Sequence, residues 1–240
     1  MSTRTAAWKV LAVIAIAGAA PLAHAQAYTV PGAVAGVTGG ESFSSSLSFR
    51  PFGWSADGKF AWLESEDVDG RGGTVYTYTI YDAVEDSVVY THSDDSFDWG
   101  TDVDATEAES WRRSGTEVSA ALARAAIVQS PRIEVAAFPL TRAGDRYTAT
   151  LTTRDAPGSG EGDDDRISSY TLTLSSRARG SKVVTAQDKL AITSAVVDGY
   201  ILSPMEPRIL VVVSQRSRAF EGSAETLRFF GAHLGVGFRK

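Results

Sequence analysis

The stretch Phe52-Gly53-Trp54-Ser55-Ala56-Asp57-Gly58-Lys59-Phe60-Ala61-Trp62-Leu63-Glu64 constrains the fold more than any other, because turn chemistry and strand chemistry meet in it. In Ser55-Ala56-Asp57-Gly58 the Asp carboxylate reaches backbone two residues on, and the Gly accepts positive φ without steric cost, so the chain reverses there. The aromatic and apolar run from Lys59 to Glu64 then continues as a buried strand.

Alternation of the same kind recurs along the chain. Thr74 to Asp82 sets Tyr76, Tyr78 and Ile80 on one face and Val75, Thr77, Thr79 and Tyr81 on the other. With Ser87 to Thr91 behind the turn at Ala83 to Asp86, residues 59–91 read as an antiparallel three-stranded meander. Further strands are expected at Ile133 to Leu140, Arg146 to Thr153, Ile167 to Ser175, Lys182 to Ala186, Val196 to Leu202, Arg208 to Ser214 and Thr226 to Leu234. The continuous run Ile209-Leu210-Val211-Val212-Val213 implies a strand buried on both faces.

One helix interrupts the strands, near residues 105–127. Asp104 or Thr106 caps it, and Glu107 and Glu109 suit the positive end of its dipole. Ala108, Trp111, Gly115, Val118, Leu122 and Ala125 form its apolar stripe. Gly115, costing about 1 kcal/mol against Ala, marks where it would divide. The fold class is therefore mainly β: antiparallel sheets, sandwich-like or two blade-like sheets, with one central α-helix in a single domain over 47–240.

Residues 1–25 have the parts of a secretory signal: Arg4 and Lys9, an apolar core from Val10 to Ala20, and Ala23-His24-Ala25 before Gln26. The apolar core is too short to span a bilayer, which takes about 20 residues. An exported protein, periplasmic or extracellular and free of the membrane after cleavage, is expected. Residues 26–46, rich in Gly and Ser, are expected to be a flexible lead-in with a short edge strand at Tyr28 to Val30. Cleavage removes two basic residues and no acid, leaving 21 Lys and Arg against 29 Asp and Glu and a net charge near −8. That balance disfavours nucleic acid. With no Cys, the chain has no disulfide, thiolate or Cys-based zinc site and is held by its core.

Trp54-Ser55-Ala56-Asp57-Gly58-Lys59, followed by Phe60-Ala61-Trp62, resembles the Trp-Ser-Pro-Asp-Gly-Lys repeat in blades of periplasmic Tol-type β-propellers, with Ala56 in place of the Pro. Leu202-Ser203-Pro204 is a weaker echo, with Met205-Glu206 where Asp-Gly would stand. Signal segment, turn, central helix, Val-rich strand and Phe220-Glu221-Gly222 together resemble a bacterial family of predicted secreted proteins of unknown function. That resemblance transfers no catalytic residues. A closed propeller needs at least about four blades, and the chain holds one good repeat and one degraded one.

The acidic loops offer oxygen ligands for Ca²⁺, best at Asp67 and Asp69, with others at Asp98, Asp102 and Asp104 and at Asp163 to Asp165. Solvated loop tips are the simpler reading, and no cofactor is expected. A hydrolase would draw a carboxylate pair from Glu64, Glu66, Asp98 and Asp102, with Trp62 and Trp99 stacking on sugar rings. The mature chain has only His92 and His233, and no Gly-x-Ser-x-Gly elbow supports either as a triad base. The basic stretch Gln215 to Gly222 suits an anionic partner or an acidic loop of the same chain, the latter being the default. By elimination, the expected function is a non-enzymatic exported module that binds a protein or glycan through loops of a β scaffold, with a paired-carboxylate hydrolase as the alternative.

Overall fold

The computed structural model describes residues 27–34, 47–68, 72–100, 103–157, 166–219 and 222–240. The expected signal segment lies outside them, as do Asp69, Asp102 and Asp163 to Asp165. The elements are β1 (Leu47–Trp54), β2 (Lys59–Asp67), β3 (Thr74–Asp82), β4 (Ser87–Asp95), a 3-10 turn (Ser96–Trp99), α1 (Glu107–Arg124), β5 (Val128–Gln129), β6 (Leu140–Arg142), β7 (Asp145–Asp155), β8 (Ile167–Ser176), β9 (Gly180–Gln187), β10 (Ser194–Leu202), β11 (Arg208–Ala219) and β12 (Gly222–His233).

They build three antiparallel sheets rather than two. The first has the order β4-β3-β2-β1-β5, the second β6-β7-β8-β9, and the third β10-β11-β12. The third, last in sequence, lies between the other two. Leu210 and Val212 join Phe49, Phe60 and Trp62 in one core against the first sheet. Ile209, Val211 and Val213 join Tyr147, Tyr170, Leu172 and Leu174 in another against the second. All five residues of the run 209–213 have no exposed surface, so the third sheet is central and covered on both faces. A third core on the outer face of the first sheet packs Phe52, Leu63, Tyr76, Tyr78 and Ile80 under α1.

The β1–β2 reversal falls where expected, but Ser55 rather than Asp57 takes the backbone N–H two residues past the Asp, and the Asp57 carboxylate holds the Ser55 hydroxyl and the Lys59 ammonium instead. Ser55 is wholly buried, and its Oγ accepts the Lys59 N–H at 2.8 Å and bonds to Asp57, while Gly58 takes φ +89°. The Ser203 turn between β10 and β11 is built alike: its buried Oγ accepts the N–H groups of Met205 and Glu206 at 3.2 and 3.3 Å. Both turns sit at one end of the stack. There Arg208 pairs with Glu206 at 2.7 Å and donates to the Ala83 carbonyl at 2.9 Å, tying the central sheet to the first.

Gly53 sits at a bulge in β1 with φ +157°, and a Cβ there would lie 2.0 Å from the Val128 carbonyl oxygen of β5. Gly53→Ala is expected to separate β5 from β1 and cost about 1–3 kcal/mol, measured as a lower chemical-denaturation midpoint.

Gly115 does not divide the helix, which runs unbroken for 18 residues behind a Thr106 cap that accepts the Glu109 N–H at 3.2 Å. Its buried face takes Ser110, Ser114 and Ala121 along with Gly115, Val118 and Leu122, whereas Ala108 is exposed. Small residues let α1 approach closely enough for Tyr78 and Ser110 to share a buried hydrogen bond of 2.9 Å.

Two expected strands are absent. Ile133 to Leu140 yields only the start of β6, because Pro131 and Pro139 remove ladder donors and the segment crosses from the first sheet to the second. On the way Ala136 exchanges two hydrogen bonds of 2.9 Å with Tyr200, covering the outer edge of β10. Tyr28 to Val30 is not a strand either. Tyr28 donates its hydroxyl to the Ile127 carbonyl at 2.7 Å, and the Gln129 side chain brackets the Thr29 backbone.

Candidate functional site

On β2 the residues of one parity, Phe60, Trp62, Glu64 and Glu66, face the central sheet. Phe60 and Trp62 fill the core, with Trp62 against Phe229 of β12 at 4.5 Å between ring centres. Glu64 follows where the core opens. It borders a slot of about 470 Å³ that runs along the outer edge of β12, walled by Trp62, Thr79, Tyr81 and Val88 of the first sheet, by Gln187 at the end of β9 and by Leu190 after it.

Burial pushes the Glu64 carboxyl up to about 7, and neighbouring Glu66 adds to the rise, while Trp62 and Arg228 oppose it. The Trp62 indole N–H lies near that carboxyl without hydrogen-bond geometry and has no acceptor. Glu66, half-buried, is also raised by burial. Because the folded state holds the Glu64 proton more tightly than the unfolded chain does, this group costs nothing below about pH 4.5. Its penalty then grows as pH rises through about 7. Glu64→Gln is therefore expected to leave stability unchanged near pH 4 and raise it by up to about 3 kcal/mol near pH 8, read from denaturant midpoints.

Asp98 does not join Glu64 and Glu66. Asp98 is exposed on the 3-10 turn beside Trp99, which packs in the core on the opposite face of the first sheet. Trp62 and Trp99 are only 4% and 8% exposed, so neither offers a platform for a sugar ring. Trp99 stacks on Tyr76 at 5.5 Å and donates to Asp94 at 2.7 Å. Of the calcium pair, Asp67 accepts the Thr74 hydroxyl at 2.7 Å. Among the described residues no three His, Asp or Glu side chains are grouped to hold a metal. Arg216 meets Glu225 at 3.5 Å on the facing strand β12, a partner on the adjacent strand and not in an acidic loop.

Sequence reasoning missed a constellation on the helix side. His92 Nε2 lies 2.9 Å from Ser114 Oγ, and its Nδ1 lies 3.5 Å from Glu117. These are the contacts of a nucleophile, base and orienting acid. Ser114, however, sits mid-helix, is 7% exposed and shares its hydroxyl with Asp94 at 3.3 Å, so a substrate has no approach to it. A second cleft of about 520 Å³ lies past β10, between Trp54, Ile133, Tyr200 and Met205.

No family model, no curated protein and no solved structure matches the chain.

Proposed function

We propose that the chain is an exported, non-enzymatic interaction module that takes a segment of a partner protein in the slot beside Glu64. The observation that carries this reading is the slot itself: a channel lined by apolar and polar side chains in about equal measure, with the half-buried Glu64 carboxyl on one wall. Asp86, the slot's other acid, accepts the Gly231 N–H at 2.9 Å and the Tyr81 hydroxyl with one oxygen. Burial of Trp54, Trp62 and Trp99 favours protein over glycan, because sugar rings stack on exposed aromatic faces. Export rests on the signal pattern of residues 1–25.

A hydrolase is the second reading, favoured by a carboxyl pushed up to about 7, a value suited to a general acid near neutral pH. Purified protein, with its Glu64→Gln and Glu66→Gln variants, is assayed on glycoside and peptide substrate panels and with a serine-directed fluorophosphonate. No turnover and no label are expected. Turnover that Glu64→Gln abolishes would establish the hydrolase and remove the interaction reading.

A further inference from the structure

The central sheet has three strands between neighbours of five and four, and its two edges are treated differently. The β10 edge is covered by the bridge from Ala136. Beyond β12, 12 residues long, no strand is paired among the described residues. Long open edges are templates for another strand unless blocked by charge, proline or a bulge. β12 has no proline, its ladder with β11 runs without a register shift, and of its two charged residues Glu225 is buried against Arg216 while Arg228 is exposed.

Antiparallel strands turn the backbone groups of alternate residues to opposite sides. The Gly231 N–H faces away from β11, because it donates to Asp86. Leu227 and Phe229 share its parity, so their N–H and C=O groups face the slot. Their side chains stay in the core against the first sheet.

We propose that this edge docks an extended segment of another protein, added as a further strand of the central sheet, with apolar side chains on alternate residues and a basic residue beside Glu64. The inference rests on the interaction reading above and specifies its partner. β2 covers β12 through Trp62 and Phe229, so β3 and β4 continue past the edge, and Thr79, Tyr81 and Val88 form a wall. A second copy of this chain would have to bring its own β12 alongside, and its β3 and β4 would meet those walls. A single extended strand meets neither obstacle. It lies between that wall and Leu190, which accounts for the apolar residues in the segment. The basic residue follows from the charges lining the slot, where the two acids Glu64 and Asp86 face one base, Arg228, which already acts on Glu64, and from a chain with 29 acids against 23 bases. The Asp86 turn closes one end of the slot and fixes how far the segment reaches.

An arrayed library of peptides of about ten residues, alternating Val with varied positions, is the probe. Arg- or Lys-containing members are expected to bind the intact protein, and Glu64→Gln is expected to weaken them about fivefold while leaving neutral members unchanged. N-methylation of the best binder at residues of one parity should cost about tenfold or more, the worth of one to two hydrogen bonds, and at the other parity about twofold or less. Because the peptide is altered and not the protein, misfolding cannot mimic the result. On binding, the Leu227 and Phe229 amides should gain hydrogen-exchange protection while Arg228 does not change. If peptides bind but N-methylation is tolerated equally at both parities, strand addition is wrong and the interaction reading stands. If no member binds at about 1 mM, strand addition is also wrong. Turnover of library members overturns the interaction reading itself.

Discussion

Val211→Asp and Val212→Asp are each expected to prevent folding or to remove more than about 4 kcal/mol of stability, and to do so alike. Consecutive residues of a strand point to opposite faces, so in a two-layer sandwich with one wet face one of the pair would tolerate a carboxylate. Here Val212 meets the first sheet and Val211 the second, and neither has exposed surface. Each carboxylate would be buried among apolar groups with nothing to pair with. Soluble yield and circular dichroism of the two variants are the measurement. Native-like unfolding of either one would show that its face of the central sheet is open.

Trp62→Ala is expected to cost about 3–5 kcal/mol in urea unfolding, the range for deleting a large buried aromatic. The indole is the hinge of the interface between the first and central sheets: Phe49, Phe60 and Phe229 lie 6.3, 5.8 and 4.5 Å away, and Tyr81 meets it edge-on at 6.3 Å. Its loss leaves a void that these rings cannot close without moving β2 away from β12. Since Trp62 also walls the slot, the same variant is expected to lose affinity for the alternating peptides. A loss below about 1 kcal/mol would mean that the interface collapses readily around the gap.

Local chemistry carried much of the fold into the sequence. Thr74 to Asp82 is β3 to the residue, because a clean two-residue period and the turn residues after it leave no other conformation. The run at 209–213 announced burial on both faces, since such a row of apolar side chains suits no strand with a wet side. What was illegible depends on how sheets meet. Parity put Glu64 and Trp62 on one face of β2, but nothing local says that this face meets the central sheet while Trp99 packs on the other, with Asp98 beside it. Ile133 to Leu140 has the composition of a strand and is spent on a crossing, because Pro139 within it, Pro131 just before it and its span between sheets outweigh propensity. His92 and Ser114 lie 22 residues apart and meet only because α1 packs over β4. The slot was invisible for the same reason: its walls come from all three sheets, and the middle one is the last in the sequence.

Native-state hydrogen exchange on the uncomplexed protein tests the three-sheet stack and its open edge together. The amides of Leu210 to Val213 should exchange only through global unfolding, and along β12 slow Arg228 and Phe230 should alternate with fast Leu227 and Phe229. Uniformly slow exchange along β12 would mean that its edge is already covered, and fast exchange at Leu210 to Val213 would mean that the central sheet is not central.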